Sequence, residues 1–198
     1  MTQESITALI GLAIAMTWTP GPNNTLLSAS GANFGWRKTL PHVMGVTIGF
    51  PLMLSAVAVG LERAVGQSAA FMGALRWIGI GVILLFAWRI AMADAAATGA
   101  RGRPLTFLEA IGFQWVNPKA WGLAVYVTTT YGSGHAALSN TAFAAAAFLI
   151  SGFASSATWA VFGAGIGVAL SQGWRLRAFN IAMALLLLAS AGWLFLES

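Results

Sequence analysis

Long apolar stretches alternate with short polar ones along nearly the whole chain. Crossing the hydrocarbon core of a bilayer takes about 20 mostly apolar residues in an α-helix. Six stretches meet that length: residues 5–31, 40–61, 70–91, 105–131, 141–170 and 178–196. None of them alternates polar and apolar residues as a membrane β-strand does. The pattern therefore predicts an all-α integral membrane protein with six transmembrane helices.

The composition agrees with a membrane setting. Of the 198 residues, 58% are hydrophobic and only 8% are charged, whereas a soluble domain carries roughly 25% charged residues. So few charges cannot cover the surface of a water-soluble fold of this size. The chain has no cysteine, which excludes disulfides, thiol catalysis and thiolate metal ligands. The net charge of +5 comes from basic residues between apolar runs, which favours a role in topology over nucleic-acid binding.

The basic residues predict the orientation of the six spans. With loops on alternate sides, one face of the membrane holds Arg37, Lys38, Arg89, Arg101, Arg103, Arg175 and Arg177. The other face holds Arg63 and Arg76 beside Glu4, Glu62 and Glu197. Cytoplasmic loops carry an excess of Lys and Arg, so the first face is predicted to be cytoplasmic and both termini outward. Residues 5–16 follow no basic residue, and we expect them to stay in the mature protein.

Two of the six stretches contain helix-breaking residues near their middle. The first is interrupted at residues 20–24 (Pro-Gly-Pro-Asn-Asn) and the fourth at residues 117–119 (Asn-Pro-Lys). The two breaks lie about 95 positions apart, close to half the chain. Three spans per half make the halves enter the membrane in opposite directions, which is the pattern of an inverted repeat. We predict one transmembrane transporter domain, with repeat 1 at 1–92, a linker at 93–104 and repeat 2 at 105–198.

Each break releases main-chain groups that a membrane helix must satisfy elsewhere. A proline lacks an N–H and blocks the carbonyl four residues earlier, so Pro20, Gly21 and Pro22 together free several groups in one turn. Unpaired groups are costly in hydrocarbon, and the breaks must therefore face protein or a water-filled cavity. We predict that these three residues and Pro118 form helix breaks that act in gating. The alternative is two independent proline kinks, which membrane helices tolerate.

Polar side chains beside the breaks are the candidate substrate ligands: Asn23, Asn24, Gln114, Asn117 and Lys119. Each amide offers two donors and an acceptor oxygen. The start of a half-helix offers N–H groups that favour an anion such as a carboxylate. Lys119 lies about 14 residues into the fourth span, roughly 20 Å along its axis, where a charge indicates function. Snorkelling to the interface is the alternative for this lysine.

Two further ionisable residues lie within the predicted spans. Glu109, about one turn into the fourth, is a candidate proton carrier for coupled transport or else an interfacial glutamate at a helix start. His42, near the cytoplasmic start of the second, is a candidate proton relay, but we expect it at the interface. His42 and His135 with one embedded carboxylate make a poor metal set, so neither a metal nor another cofactor is expected.

Residues 19–50 (TPGPNNTLLSASGANFGWRKTLPHVMGVTIGF) resemble the opening signature of the lysine-exporter (LysE/RhtB) family of bacterial amino-acid exporters. Residues 113–121 (FQWVNPKAW) resemble its second signature, while 84–91 and 177–190 are similar to parts of its third and last segments. The resemblance covers nearly the whole chain, in order. It implies six helices in two inverted halves and export of small amino acids across the inner membrane, driven by the proton-motive force. It also implies a functional core at 20–24 and 117–119.

We therefore expect a small-molecule substrate and the lipid bilayer as partners, no nucleic acid and no enzyme activity. Few embedded charges favour a neutral amino acid or derivative over lysine. A passive channel is one alternative. An intramembrane hydrolase is another, and it requires Ser28 or Ser30 within reach of His42, although no Gly-x-Ser-x-Gly or His-Glu-x-x-His motif occurs. The spacing of Gly45 and Gly49 suits a close helix contact, either within the chain or in a homodimer.

Overall fold

The computed structural model describes residues 1–60, 69–93, 102–132, 136–170 and 173–196. The regular structure of these residues is helical and contains no strand, which confirms the predicted all-α class. The elements are α1 (Gln3–Trp18), α2 (Pro22–Phe34), α3 (Trp36–Ala56), α4 (Ala69–Ala91), α5 (Phe107–Val116), α6 (Pro118–Tyr131), α7 (Ala137–Ala169) and α8 (Trp174–Leu196). Most of the predicted linker lies outside the described residues, as do Glu62, Arg63, Arg101, His135 and Glu197.

The helices follow the six predicted stretches, and two stretches are divided. α1 and α2 occupy the first stretch and α5 and α6 the fourth, so the helix is interrupted at both predicted breaks. The other four stretches are α3, α4, α7 and α8. α3 and α8 begin four residues earlier than the apolar pattern indicates, because hydropathy marks the hydrocarbon core while a helix continues through the headgroup region.

Two described helical segments are long and apolar enough to cross a membrane, by length and composition alone. They are Trp36–Gly60, with 25 residues, and Ala137–Ala169, with 33. The halves of the broken stretches have 16, 13, 10 and 14 residues, and each is too short to span the core by itself. Large apolar side chains such as Leu52, Trp77 and Val168 are exposed. Such surfaces suit a lipid environment better than water.

A single residue, Gly35, connects α2 to α3. Its φ of 80° lies in the left-handed region, which glycine adopts at little cost because it has no Cβ. The chain therefore turns sharply, and α3 packs beside α2 directly after the turn. Arg37 and Lys38, in the first turn of α3, lie at this corner.

α7 packs against α2 through small residues. Gly163 lies against the carbonyl of Ser28, and Gly31 against the carbonyl of Ala160, so closely that an added Cβ would overlap main-chain atoms. The Ser28 hydroxyl donates to the carbonyl oxygen of Trp159 at 3.2 Å. Close contacts between small residues are how membrane helices associate where lipid and side chains are equally apolar.

Gly45 and Gly49 face α5 inside the chain. An added Cβ on Gly45 would overlap the carbonyl of Phe107, and one on Gly49 would lie 2.9 Å from Cγ of Gln114. The glycine spacing therefore serves an internal contact, and it no longer argues for a homodimer. The two contacts hold α3 along α5, from its first residue to its last turn just before the second break.

Candidate functional site

The two helix breaks border one cavity of about 70 Å³. That is room for several water molecules. All five candidate substrate ligands predicted from the sequence line this cavity, as do Gly21 and Pro22. Its remaining walls combine hydroxyls with apolar side chains. The polar lining residues are Thr17, Thr19, Asn23, Asn24, Thr47, Gln114, Asn117, Lys119 and Ser156.

Asn24 holds the first break together. Its Nδ2 donates to the carbonyl oxygens of Thr17 at 2.7 Å and Thr19 at 2.9 Å. The Thr17 carbonyl also accepts a hydrogen bond from the Ser155 hydroxyl of α7 at 2.7 Å. These carbonyls belong to the end of α1, where the last carbonyl groups of a helix lack intrahelical partners. In this conformation both N–H groups of the Asn24 amide are therefore engaged by the chain itself.

Asn117 organises the second break. It is 2% exposed, and its Oδ1 accepts a hydrogen bond from the main-chain N–H of Lys119 at 3.2 Å. This is a helix N-cap. Pro118 follows at the first helical position, where its missing N–H costs nothing. The cap fixes the start of α6 and so the point from which the Lys119 side chain leaves the helix.

A reciprocal pair of amides joins the two breaks. Asn23 Nδ2 donates to Gln114 Oε1 at 2.9 Å, and Gln114 Nε2 donates to Asn23 Oδ1 at 3.2 Å. Gln114 Nε2 also donates to the carbonyl of Ala110 at 3.0 Å. Because Gln114 is fully buried, its amide requires such partners. The pair links the start of α2 to the last turn of α5.

Lys119 reaches from α6 to the first break. Its Nζ donates to the Thr19 hydroxyl at 2.8 Å, and an added Cβ on Gly21 would lie 3.3 Å from the same nitrogen. In the part of the chain that the structure describes, the one salt bridge joins Arg103 to Glu109. No carboxylate there pairs with Lys119. A half-buried cation without a counter-ion is suited to an anionic ligand.

Glu109 lies outside this cavity, in the first turn of α5. Its carboxylate accepts two hydrogen bonds from the Arg103 guanidinium, both at 2.6 Å, and one from the Thr106 N–H at 2.8 Å. Thr106 and Glu109 form a capping box, which satisfies N–H groups at the helix start. The hydrogen bonds and charge of Glu109 raise the pKa of Arg103 above its ordinary value. This geometry is that of a helix-start glutamate, and a proton-carrying role stays a prediction.

His42 is buried inside the protein, and its expected position at the membrane interface stays a prediction. It is 0% exposed, and its Nδ1 lies 3.3 Å from the Ser30 hydroxyl of α2. The apolar pattern could not reveal this burial, because the lipid-facing and protein-facing sides of a membrane helix are both apolar. The contact satisfies the distance that a hydrolase requires. However, no described carboxylate orients the imidazole, and Nε2 makes no hydrogen bond within the described residues, unlike the base of a catalytic triad.

Several serine and threonine residues of the site could not be recognised from the sequence pattern. Thr19 holds Lys119, Thr17 supplies a main-chain acceptor, and Ser156 and Thr47 line the cavity. Thr17 and Thr19 lie just before the first break, and this position could have identified them as candidate site residues. The serines of α7 were indistinguishable from the small residues of ordinary helix packing.

Neither a protein-family model nor a solved structure matches this chain. It is 33% identical to the cysteine/O-acetylserine efflux protein of Salmonella typhimurium strain LT2 over 120 residues, which are 60% of this chain and 61% of that protein. It is 30% identical to the protein of the same name from Escherichia coli strain K12 over 132 residues, 66% of this chain and 67% of that one. The matched part thus spans about 61% of the length of the Salmonella relative. Both relatives are named as efflux proteins, which are transporters and not enzymes.

Proposed function

The chain belongs to the LysE/RhtB family of amino-acid exporters, and from this premise we propose that it is a secondary transporter exporting small neutral amino acids or their derivatives from the cytoplasm. The observation that carries the proposal is the meeting of both helix breaks at one polar cavity. Paired broken helices at the midplane are a common way to build a transport site in membrane proteins.

The substrate carboxylate binds at Lys119 and at the start of α2. This helix begins at the cavity, and N–H groups at a helix start favour an anion, whereas those at the start of α6 are already bonded to Asn117. The carbonyl oxygens of Asn23 and Gln114 are acceptors suited to the substrate ammonium group. For either amide to bind substrate, the reciprocal pair between them must open or share its hydrogen bonds, so the ligand replaces contacts that already exist.

A neutral side chain is favoured by the charges at the cavity. Among the described residues that line it, Lys119 is the one charged side chain. A lysine or arginine substrate would bring a second cation with no carboxylate to receive it, which is costly in a low-dielectric site. The names of the relatives, cysteine/O-acetylserine efflux proteins, describe small amino acids without a charged side chain and support the same choice.

Six transmembrane helices in two inverted repeats form part of the proposal. The contacts between helices support it: α7 packs against α1 and α2 as α3 packs against α5 and α6, and α4 packs against α8. At the closest points, Gly163 lies against the Ser28 carbonyl and Gly45 against the Phe107 carbonyl. A twofold axis in the membrane plane would exchange α7 with α3 and the first broken stretch with the fourth.

The proposed setting is the bacterial inner membrane, with both termini periplasmic and the basic loops in the cytoplasm. Rocking of one repeat against the other exposes the cavity to each side in turn. The proton-motive force drives export. Glu109 and His42 are the two groups that the sequence offers as proton carriers.

Efflux from preloaded proteoliposomes tests the function. Labelled alanine, serine and O-acetylserine are each expected to leave saturably, and faster when a pH gradient is imposed. A protonophore should remove that acceleration, and empty liposomes should show none of it. Efflux that rises linearly with concentration and ignores the gradient would instead indicate a passive channel, and efflux of lysine alone would contradict the neutral substrate class.

Replacing Glu109 by glutamine is expected to leave gradient-driven export within about twofold of the original rate. The Glu109 side chain lies outside the cavity, and its exposed ion pair with Arg103 contributes little to the stability of the fold. The carboxylate is engaged by Arg103 and Thr106 at the start of α5. Arg103→Gln is the matched control, since it breaks the same ion pair and keeps the carboxyl group. If Glu109→Gln alone loses its response to an imposed pH gradient, Glu109 carries the coupling proton.

A further inference from the structure

Thr47 of α3 has a buried hydroxyl group without a partner. The residue lines the cavity and is 4% exposed, and its Oγ1 makes no hydrogen bond to any described residue. Threonine hydroxyls inside helices commonly bond to the carbonyl four residues earlier. Here Thr17 does so to Ala13 at 2.7 Å, and Thr39 does so to Gly35 at 3.0 Å. The Thr47 hydroxyl makes no such hydrogen bond among the described residues, and it lies at the cavity where a ligand is expected.

The other α3 side chains that line the cavity, Val46 and Phe50, are apolar. Phe148 of α7 lines the cavity beside Phe50, and the two rings meet edge to face, 5.0 Å between centroids. A polar group beside such apolar side chains fixes a ligand's orientation and its identity, because pockets of this kind select through a few placed hydrogen bonds.

The helices divide the cavity by chemistry. α2 and α6 bring the groups suited to the charged end that all amino acids share, namely Asn23 and Lys119. α3 brings Val46, Thr47 and Phe50. A substrate whose carboxylate is held at the breaks therefore places its side chain against these α3 residues.

We infer that Thr47 is a specificity-determining residue of the transporter, and that its hydroxyl hydrogen-bonds an oxygen atom on the substrate's side chain. The inference rests on the proposed function and narrows its substrate class. Preferred substrates have a short, uncharged side chain that carries a hydroxyl or carbonyl oxygen. A side chain without such an oxygen leaves the buried hydroxyl unsatisfied, which is unfavourable.

Thr47→Val tests the inference, because valine keeps the shape and replaces the hydroxyl by a methyl group. Serine and alanine are the matched substrates, since they differ by one hydroxyl. The ratio of serine to alanine efflux from proteoliposomes is expected to fall about fivefold, the effect of one neutral hydrogen bond. Thr47→Ser should restore the ratio. Thr158→Val is the control, since Thr158 is exposed on α7 and donates to the carbonyl of Ala154 at 2.8 Å.

The outcomes separate this inference from the proposed function. Alanine efflux measured in the same vesicles reports whether Thr47→Val is folded and active. An unchanged serine-to-alanine ratio, or an equal loss for both substrates, overturns the specificity assignment and leaves export standing. Original protein that moves neither amino acid overturns the proposed function itself, and the inference with it.

Discussion

Replacing Lys119 with methionine is expected to lower the rate of amino-acid efflux by roughly 10- to 100-fold, the effect of losing one or two hydrogen bonds to a charged group. Lys119 is the one cation among the described residues that line the cavity, and no described carboxylate pairs with it. Methionine keeps a long, unbranched side chain and removes only the charge and the donors. Efflux of alanine and serine from proteoliposomes at low concentration measures the loss.

Lys38→Met is the matched control for that experiment. Lys38 is exposed in the first turn of α3, so its loss should leave efflux unchanged. Lys119→Arg keeps the charge but must fit a larger group where an added Cβ on Gly21 would already lie 3.3 Å from Nζ, and we expect intermediate activity. Efflux at the original rate by folded Lys119→Met protein would show that the lysine does not bind substrate.

Gly163→Leu is expected to destabilise the protein by about 3 kcal/mol, at the upper end of overpacking effects. A Cβ at this position overlaps the main-chain carbonyl of Ser28, and a main chain inside α2 cannot move aside as a flexible side chain can. The clash would force α7 away from α2 and would disturb the cavity wall that both helices form. Thermal unfolding of the detergent-solubilised protein, followed by size-exclusion chromatography, measures the effect.

Gly165→Leu provides the comparison, since it lies two residues further along the same helix. Nothing lies within 4 Å of an added Cβ there, so the change in stability should stay within about 0.5 kcal/mol. Both variants add the same apolar side chain to the same membrane helix. Equal stability of the two would mean that α7 does not pack closely on α2.

The helices and their breaks could be predicted because their causes are local. Twenty apolar residues need no tertiary partner to indicate a membrane helix, and Pro22 and Pro118 interrupt a helix wherever it lies. Gln114 was also within reach, since it precedes Asn117 by about one turn and so shares its side of the break. The capping box of Thr106 and Glu109 could have been read directly from its spacing.

Which face of each helix meets protein could not be predicted, because lipid and protein interior are both apolar. The periodicity that separates core from surface in a soluble helix is therefore weak here. The burial of His42 and the cavity position of Thr47 both depend on how α3 is rotated. The amide pair of Asn23 and Gln114 joins residues 91 positions apart, and only the packing of α2 and α5 in the folded chain brings them together.

The single-residue corner at Gly35 has a mechanical consequence. Since no flexible loop separates α2 from α3, a movement of one helix also moves the other, so Asn23 and Thr47 move together. In the proposed rocking motion, Gln114 and Lys119 lie on the other side of the cavity. When the Asn23–Gln114 pair opens, a bound amino acid would add contacts across the cavity to those that Lys119 and Thr19 already make. Substrate binding would then stabilise the conformation in which the cavity is closed, so that the empty and the loaded protein differ in how readily they change conformation.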